Sequence, residues 1–403
     1  MKVLLAHNHY RSAAPSGEDA VFRNEWRLLR QNGIEVVAYE RFNDEIPEEH
    51  WSAQAGVALA SAWSRATYRE LSRLIRRTRP DVAHFHNTFP LVSPSAWAAC
   101  RDQGVAVVQT LHNYRLVCAG GLLTRDGRPC EECLEGSMLP ALRHRCYRAS
   151  LAATGAVVWM LVSNRLRGSY RELVDRYIAL TGFAADRLAA GGLPRERIEI
   201  KPNFIEHTRA PARKRAAYAV YVGRLSAEKG VRTLLQAWKS VEGLALKIVG
   251  DGPLRDELER QARRDGLDAQ FLGRLAPEAV LDVVGRAYLQ VVPSEWYEGF
   301  PMVVVEAYAC GTPVVASRIG SLDEIVDEGQ TGMKFRAGDA ADLAKVVNAL
   351  RRLPALLEAM RGQAHRMFRE RYSPERNFAQ LMAIYQRALA RRNAGRGAAA
   401  RRA

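Results

Sequence analysis

Short apolar runs alternate with amphipathic stretches along most of the chain. Residues 2–6, 82–85 and 105–110 are compact apolar runs of the kind that form strands buried on both faces of a sheet. Residues 19–31 and 68–77 instead carry apolar positions at helical spacing. Gly33 closes the first of these helices, and residues 34–39 form another strand. Strand, loop, helix and strand in this order, joined by short turns, predict a parallel, doubly wound sheet. Strands over 177–180 and 198–201, with a helix over 184–190 between them, complete the first series.

A second series begins at Tyr218. Strands are predicted over 219–222, 244–249, 270–272, 289–292 and 314–316. Helices are predicted over 231–240, 254–265, 339–350 and 353–371, and a last amphipathic helix runs from Pro374 to about Arg391. The two halves repeat one architecture, which predicts an α/β protein of two Rossmann-like domains facing a cleft. The expected limits are 1–202 for a first domain, 203–217 for a Pro- and Arg-rich linker, and 218–373 for a second domain. Residues 374–391 form a helix crossing back to the first domain, and 392–403 a basic disordered tail.

The periodicity fails over residues 114–148, an insertion that holds Cys118, Cys130, Cys133 and Cys146. Four thiolates suit one tetrahedral structural zinc, although the spacing is not the paired Cys-x-x-Cys of a zinc ribbon. The competing reading is loop cysteines buried as small apolar side chains, with disulfides third. Beyond it, residues 142–148 are rich in Arg and His, residues 151–162 are apolar, and Arg165 and Arg167 follow. Basic flanks around an apolar helix suit an anionic membrane surface, while a core helix with solvated ends is the plainer reading. The apolar stretch is too short to span a bilayer, which takes about 20 residues.

Charge narrows the partners. The formal charge is +15, part of it from six arginines between Arg387 and the end of the chain. A basic surface favours anionic lipid, nucleic acid or phosphorylated substrates. No nucleic-acid motif is present, so lipid or phosphate comes first. No signal peptide is recognisable at the start, which argues for a cytoplasmic, reducing setting, with peripheral binding at the inner membrane face.

Ligands of doubly wound sheets bind beyond the ends of the strands. In the first series those positions hold His7 and Asn8, His86 and Asn87, and His112 and Asn113. In the second, Gly223-Arg224-Leu225-Ser226-Ala227-Glu228-Lys229-Gly230 follows a strand and opens a helix. Gly223 permits close backbone approach, Arg224 can grip two oxygens at once, and Lys229 adds a point charge, which together suit a diphosphate. A Walker loop is excluded, because its Gly-Lys-Ser/Thr is missing. The stretch from Ser294 to Ser317 reads as loop, helix, turn and strand, with Pro301 at the helix start and Gly311 just past its end. Free N–H groups at that start favour oxyanions. Glu298 before the helix and Glu306 within it can reach different parts of one ligand.

These stretches resemble the retaining glycosyltransferases of family 4, which have the two-domain GT-B fold. The resemblance is carried by Gly223 to Gly230, by Val249-Gly250-Asp251-Gly252-Pro253, by Glu298-Gly299-Phe300-Pro301 through Glu306, and by Gly311-Thr312-Pro313-Val314-Val315-Ala316. In the first domain it is looser, resting on Thr110-Leu111-His112 and a loop around Gly17, where relatives often have two glycines. The resemblance implies that Arg224 and Lys229 neutralise the leaving diphosphate, with Gly17, Gly223 and Gly250 at the donor. It implies that Glu298 holds the sugar hydroxyls, beside Gly299 and Pro301 and the backbone of Phe300, Met302 and Val303. Glu306 would accept from the ribose, Leu272 and Gly273 would meet the base, and His112 would meet the sugar. His112, Glu298, Arg224 and Lys229 are thus the expected catalytic set.

The same resemblance implies retention by front-face attack, with the departing phosphate taking the acceptor's proton. No Asp-x-Asp is present to hold a divalent metal, so catalysis is expected to need no cofactor, and zinc at the cysteines would be structural. The expected partners are a nucleotide-diphosphate sugar and a glycan or lipid-linked acceptor, as in cell-surface polysaccharide synthesis, with no nucleic acid. Two other readings share the architecture: a nucleotide-sugar 2-epimerase, and a non-catalytic nucleotide-sugar-binding protein. The paired glutamates speak against the first and the intact Arg224, Lys229, Glu298 and Glu306 against the second.

Overall fold

The computed structural model describes residues 1–13, 16–47, 51–206 and 215–400, with the side chains of 51–54 and 395–400 left aside. Residues 207–214 of the expected linker lie outside the described residues. The chain divides into two units. The first comprises Met1–Leu123, Glu131–Lys201 and Asn377–Ala403, and the second Thr124–Cys130 and Pro202–Arg376.

The first unit is built on six parallel strands: β1 (Lys2–His9), β2 (Glu35–Phe42), β3 (Val82–Phe85), β4 (Ala106–Leu111), β7 (Arg176–Ala179) and β8 (Ile198–Ile200). Their order is β2-β1-β3-β4-β7-β8. The register aligns Leu5 with Ala38 and with His84, and Val108 with Arg176. Strand β1 runs on through His7, Asn8 and His9, past the expected end at residue 6. The reason is packing: His7 stacks on Phe22 at 4.8 Å and His9 on Phe42 at 4.6 Å, so polar side chains occupy buried strand positions. Val3, Leu5, Phe22, Val82, Val108 and Ile178 form one core with Leu381, Ile384 and Tyr385 of the last helix. That helix is Pro374–Ala400, so it continues through most of the expected disordered tail. Within 114–148 there is regular structure after all, including a short helix, Leu139–Arg143. The two-stranded hairpin of β5 (Thr124–Arg125) and β6 (Arg128–Pro129) groups with the second unit.

The second unit holds β9 (Tyr218–Val222), β10 (Ala245–Val249), β11 (Ala269–Gly273), β12 (Leu289–Val292), β13 (Val314–Ser317) and β14 (Gly332–Phe335). All pair in parallel, in the order β11-β10-β9-β12-β13-β14. Alternation along β9 shows why both faces are covered. Ala219 and Tyr221 join a core with Leu234, Trp238, Leu258 and Val347. Tyr218 and Val220 join the opposite core with Val284, Val305, Tyr308 and Phe368. Helices on both faces of a parallel sheet make a doubly wound unit, whose ligand position lies where the strand order reverses. That point falls between β9 and β12 here, and between β1 and β3 in the first unit.

Candidate active site

In the second unit, both loops singled out in the sequence leave the switch point. Gly223 to Gly230 follows β9 and Pro293 to Pro301 follows β12. Their backbones are locked together. Glu295 N donates to Glu228 O at 2.9 Å, and Thr233 Oγ1 donates to a Glu295 carboxylate oxygen at 2.5 Å. Gly230 has φ +66°, and a Cβ there would lie 1.9 Å from Pro293 O, so no larger residue fits. Gly250, with φ +130°, is as tightly held: a Cβ would lie 1.9 Å from Gly223 O. The Gly250–Pro253 turn is laced to the same loop by Gly223 N to Val249 O and Leu225 N to Asp251 O, both 3.0 Å.

The loops bring Lys229 and Glu298 into direct contact. Lys229 Nζ donates to both Glu298 oxygens, at 2.7 and 2.9 Å. Ser294 Oγ donates to Glu298 Oε1 at 2.6 Å, and Glu298 is buried. The Lys229 ammonium also stands 5.2 Å from the centre of the Trp296 ring. Arg224 is exposed at the same strand end, and its guanidinium has no hydrogen bond or ion pair among the described residues. A ligand here therefore meets one unengaged guanidinium and one lysine–carboxylate pair.

The following helix is Met302–Ala309, with Pro301 as the residue before its first turn rather than within it. Gln290, buried in β12, donates to Val303 O at 2.8 Å and so ties the helix start to the sheet. Glu306 lies one turn further along. Its carboxyl is pushed up to about 7 because its surroundings are desolvated, and it has no side-chain hydrogen bond among the described residues. A carboxylate so placed lacks two hydrogen-bond donors. At the end of β11, Leu272 is partly buried and Gly273, with φ +67°, accepts from Gly250 N at 2.8 Å. Gly311 takes the left-handed position at φ +62°.

In the first unit, two of the histidines expected singly at strand ends, buried His86 and half-buried His112, join one network. His86 Nδ1 lies 3.0 Å from His112 Nε2, and the rings stack at 5.2 Å. His86 Nε2 is 2.9 Å from Glu25 Oε1, and His84 Nδ1 approaches the same oxygen at 2.9 Å. Lys201 Nζ donates to Glu25 Oε2 at 3.1 Å and to Asn377 Oδ1 at 3.0 Å. Burial pushes His86 down to about 4 and His112 well below the usual imidazole range, the neighbouring His86 adding to the effect on His112. Burial opposes ionisation of Glu25, but Lys201 and the histidines outweigh it and hold that carboxyl well below the usual range. A second cluster joins His7 Nε2 to Asp19 Oδ1 at 2.8 Å and His9 Nε2 to Glu40 Oε2 at 2.7 Å. Burial lowers His7 to about 4; His9 is raised to about 9, because its two carboxylate partners outweigh burial.

Glu25, His84 and Lys201 were not singled out in the sequence. The signal was there for Glu25, which shares a helical face with Val21, Phe22, Leu28 and Leu29, where a carboxylate needs a partner. Gly17 starts the helix Gly17–Gln31, is exposed, and has open space where a Cβ would stand. His112 and Asn113 line a small cavity of the first unit with Asn87, Phe89 and Arg115. Asn113 Nδ2 donates to Glu18 Oε1 at 2.7 Å; burial pushes the Glu18 carboxyl up to about 7 against that bond. Among the cysteines, Cys118 and Cys146 converge on Gly120: a Cβ there would lie 3.8 Å from Cys118 Sγ and 4.0 Å from Cys146 Cβ. Cys133 and Cys146 pack half-buried against the Met138, Val157, Met160 and Leu161 cluster.

Two parallel doubly wound units, with cations and carboxylates at the strand-order reversal of the second, define the GT-B class of glycosyltransferase. The family described as "Glycosyl transferases group 1" matches residues 204–367, and that described as "Glycosyltransferase Family 4" matches residues 19–209. The glycogen synthase of Mycobacterium tuberculosis is 38% identical over 358 residues, 85% of this chain and 78% of that protein. The D-inositol 3-phosphate glycosyltransferase of Rhodococcus jostii is 33% identical over 327 residues, 77% of this chain and 68% of that one. The crystal structure of Anabaena Alr3699/HepE in complex with UDP shares the fold, with a TM-score of 0.67 at 18% identity, over 96% of this chain and 100% of that one. The chain belongs to the family 4, group 1 glycosyltransferases.

Proposed function

We propose that the protein transfers a sugar, with retention, from a nucleoside-diphosphate sugar bound at the second unit. The observation that carries this reading is the Lys229–Glu298 pair beside an unengaged Arg224 at the β9/β12 switch point. Arg224 and Lys229 face the diphosphate and stabilise the charge that grows on it as the glycosidic bond breaks. Glu298, fixed by Ser294 and Lys229, accepts from sugar hydroxyls. Glu306, short of donors, accepts from the ribose. Leu272 and Gly273 border the base, and the family resemblance assigns His112 to the sugar. The reaction runs by front-face attack, the departing phosphate taking the acceptor's proton, and needs no metal at the diphosphate. A UDP complex of the HepE neighbour and the glycosyl-transfer names of the relatives support a nucleotide-sugar donor.

The test is thermal shift with UDP-glucose, GDP-mannose and ADP-glucose, followed by turnover of the strongest binder with EDTA present. Release of nucleoside diphosphate that Glu298→Ala or Lys229→Ala abolishes supports the reading. Undiminished turnover in either variant rejects it. Free nucleotide released together with a 2-epimerised sugar would favour the epimerase.

An anionic lipid surface is the proposed setting, with a lipid-linked acceptor. The helix Leu151–Leu166 buries Val157, Met160 and Leu161 but exposes Leu151, Trp159 and Leu166, at 57%, 53% and 84%. These three fall within one arc of about 80° on the helix, at about 100° per residue. No helix among the described residues is long and apolar enough to cross a membrane. A structural zinc at Cys118, Cys130, Cys133 and Cys146 is proposed on the convergence of Cys118 and Cys146 at Gly120. Zinc would cross-link the segment and take no part in transfer.

A further inference from the structure

The branch of the first unit's network that runs from Lys201 through Glu25 and His86 to His112 has one consistent placement of its hydrogens. Lys201 Nζ carries donors and no acceptor, so it donates to Glu25 Oε2 and Asn377 Oδ1. Glu25 beside that ammonium is a carboxylate, and a carboxylate only accepts. His86 Nε2, 2.9 Å from Glu25 Oε1, must therefore carry hydrogen. His84 Nδ1 also approaches Glu25 Oε1 at 2.9 Å but meets the Tyr385 hydroxyl at 2.8 Å, and its Nε2 meets the Thr110 hydroxyl at 2.7 Å, so the path to His112 runs through His86 alone.

His86 is neutral, because Lys201 already balances Glu25 and a second cation would leave unpaired charge in a dry site. Its Nδ1 is then a lone pair. Across 3.0 Å it faces His112 Nε2, which must supply the hydrogen. His112 is neutral for the same reason of burial, so its Nδ1 is bare. Among the described residues that Nδ1 has no hydrogen-bond partner, and His112 borders the small cavity.

We infer that Glu25 and Lys201 are positioning residues: acting through His86, they hold His112 with hydrogen on Nε2 and a lone pair on Nδ1, so that it accepts a hydrogen bond from a sugar hydroxyl. The hydroxyl part of this rests on the reading that the donor sugar meets His112. The network makes His112 a fixed acceptor that neither donates to the sugar nor charges near neutral pH. The residues come from five separate places in the chain: a helix (Glu25), three strand ends (His86, His112, Lys201) and the last helix (Asn377).

The experiment is 15N-labelled histidine NMR of the full chain, with the His112 signals assigned by loss in His112→Gln. The expected result is a protonated Nε2 and an unprotonated Nδ1, unchanged between pH 6 and 8 (roughly the range in which an ordinary histidine titrates). Hydrogen on Nδ1, or titration of His112 in that range, overturns the inference without recourse to Glu25→Gln. Glu25→Gln replaces the carboxylate with an amide that can donate to His86, so hydrogen should move to His112 Nδ1. Turnover of whichever of UDP-glucose, GDP-mannose or ADP-glucose stabilises the protein most should then fall about tenfold in kcat/KM, the worth of one hydrogen bond turned from attractive to repulsive. If the tautomer is as stated in wild type and reverses in Glu25→Gln, yet turnover is unchanged, the contact between His112 and the sugar is rejected. The proton relay then stands, which separates the two failures.

Discussion

Lys229 Nζ sits between the two oxygens of Glu298 at 2.7 and 2.9 Å, so the candidate diphosphate cation and the candidate sugar carboxylate hold each other in place. Losing either one strands the other. Lys229→Met leaves a buried carboxylate with Ser294 as its remaining partner, and we expect a loss of about 1–3 kcal/mol in stability. Transfer should fall about 10²–10³-fold, the usual cost of one electrostatic contact to developing charge. Glu298→Gln keeps the Ser294 contact and should cost less stability for a comparable loss of rate. Urea unfolding and kcat/KM on the three proteins, with the double variant, measure both. Additive losses in rate would show that the pair does not act as a unit.

Glu306 makes donor binding depend on pH. Its carboxyl is pushed up to about 7, so near neutrality it is half protonated, whereas accepting from two hydroxyls needs the carboxylate. Nucleoside diphosphate affinity should weaken as pH falls below 7, towards about tenfold per pH unit. Calorimetry at several pH values in buffers of different ionisation heat detects the proton released on binding. Glu306→Gln should flatten the profile. Stability has the opposite sign. The folded carboxyl titrates above its unfolded value, so this residue's contribution is full below about pH 4.5 and is lost as pH rises to about 7.

Gly230→Ala tests the join between the two loops. The left-handed φ and the Pro293 carbonyl both oppose a methyl group. We expect about 2 kcal/mol or more of destabilisation and a large fall in donor affinity, read by thermal unfolding with and without UDP. Gly17→Ala, with open space around it, should leave stability within about 0.5 kcal/mol.

Two proposals outside the transfer site have direct readings. Metal analysis should find about one zinc per chain, falling with Cys133→Ser; less than about a tenth of an equivalent rejects the site. Vesicles containing anionic lipid should sediment the protein at low salt and release it as ionic strength rises, whereas Trp159→Ser with Leu166→Ser should weaken retention. Equal binding by the double variant would reject the helix Leu151–Leu166 as the contact.

How far the sequence could be read followed from what each residue packs against. β3 and β12 were legible to the residue, because both are short apolar runs stopped by His86 and by Pro293. β14 was not, since Gly332-Met-Lys-Phe is a four-residue edge strand that includes a charge. The helix Ser95–Asp102 hid because Ser95 to Cys100 are all buried, which erases the polar face that marks a helix. In the candidate site, Gly223 to Gly230 and Glu298 to Glu306 were legible as local motifs. The Glu25–Lys201 pair was not, because its members lie 176 residues apart and only the fold brings them together. The Lys229–Glu298 contact, 69 residues apart, could be named by parts but not as a bond.

The last helix has a consequence for how the chain is made. Asn377 onwards belongs to the first unit, where Leu381, Ile384 and Tyr385 fill the core beside Val3 and Leu5. Residues 202–376 are thus inserted within a unit whose closing segment is made after them. The second unit can fold during synthesis, while the first must wait with part of its core and the Lys201 pocket open. A chain ending near residue 373 should keep a competent second unit and yield an aggregation-prone first one, which limited proteolysis would distinguish. The core of the first unit therefore closes only after the whole of the second unit has been made.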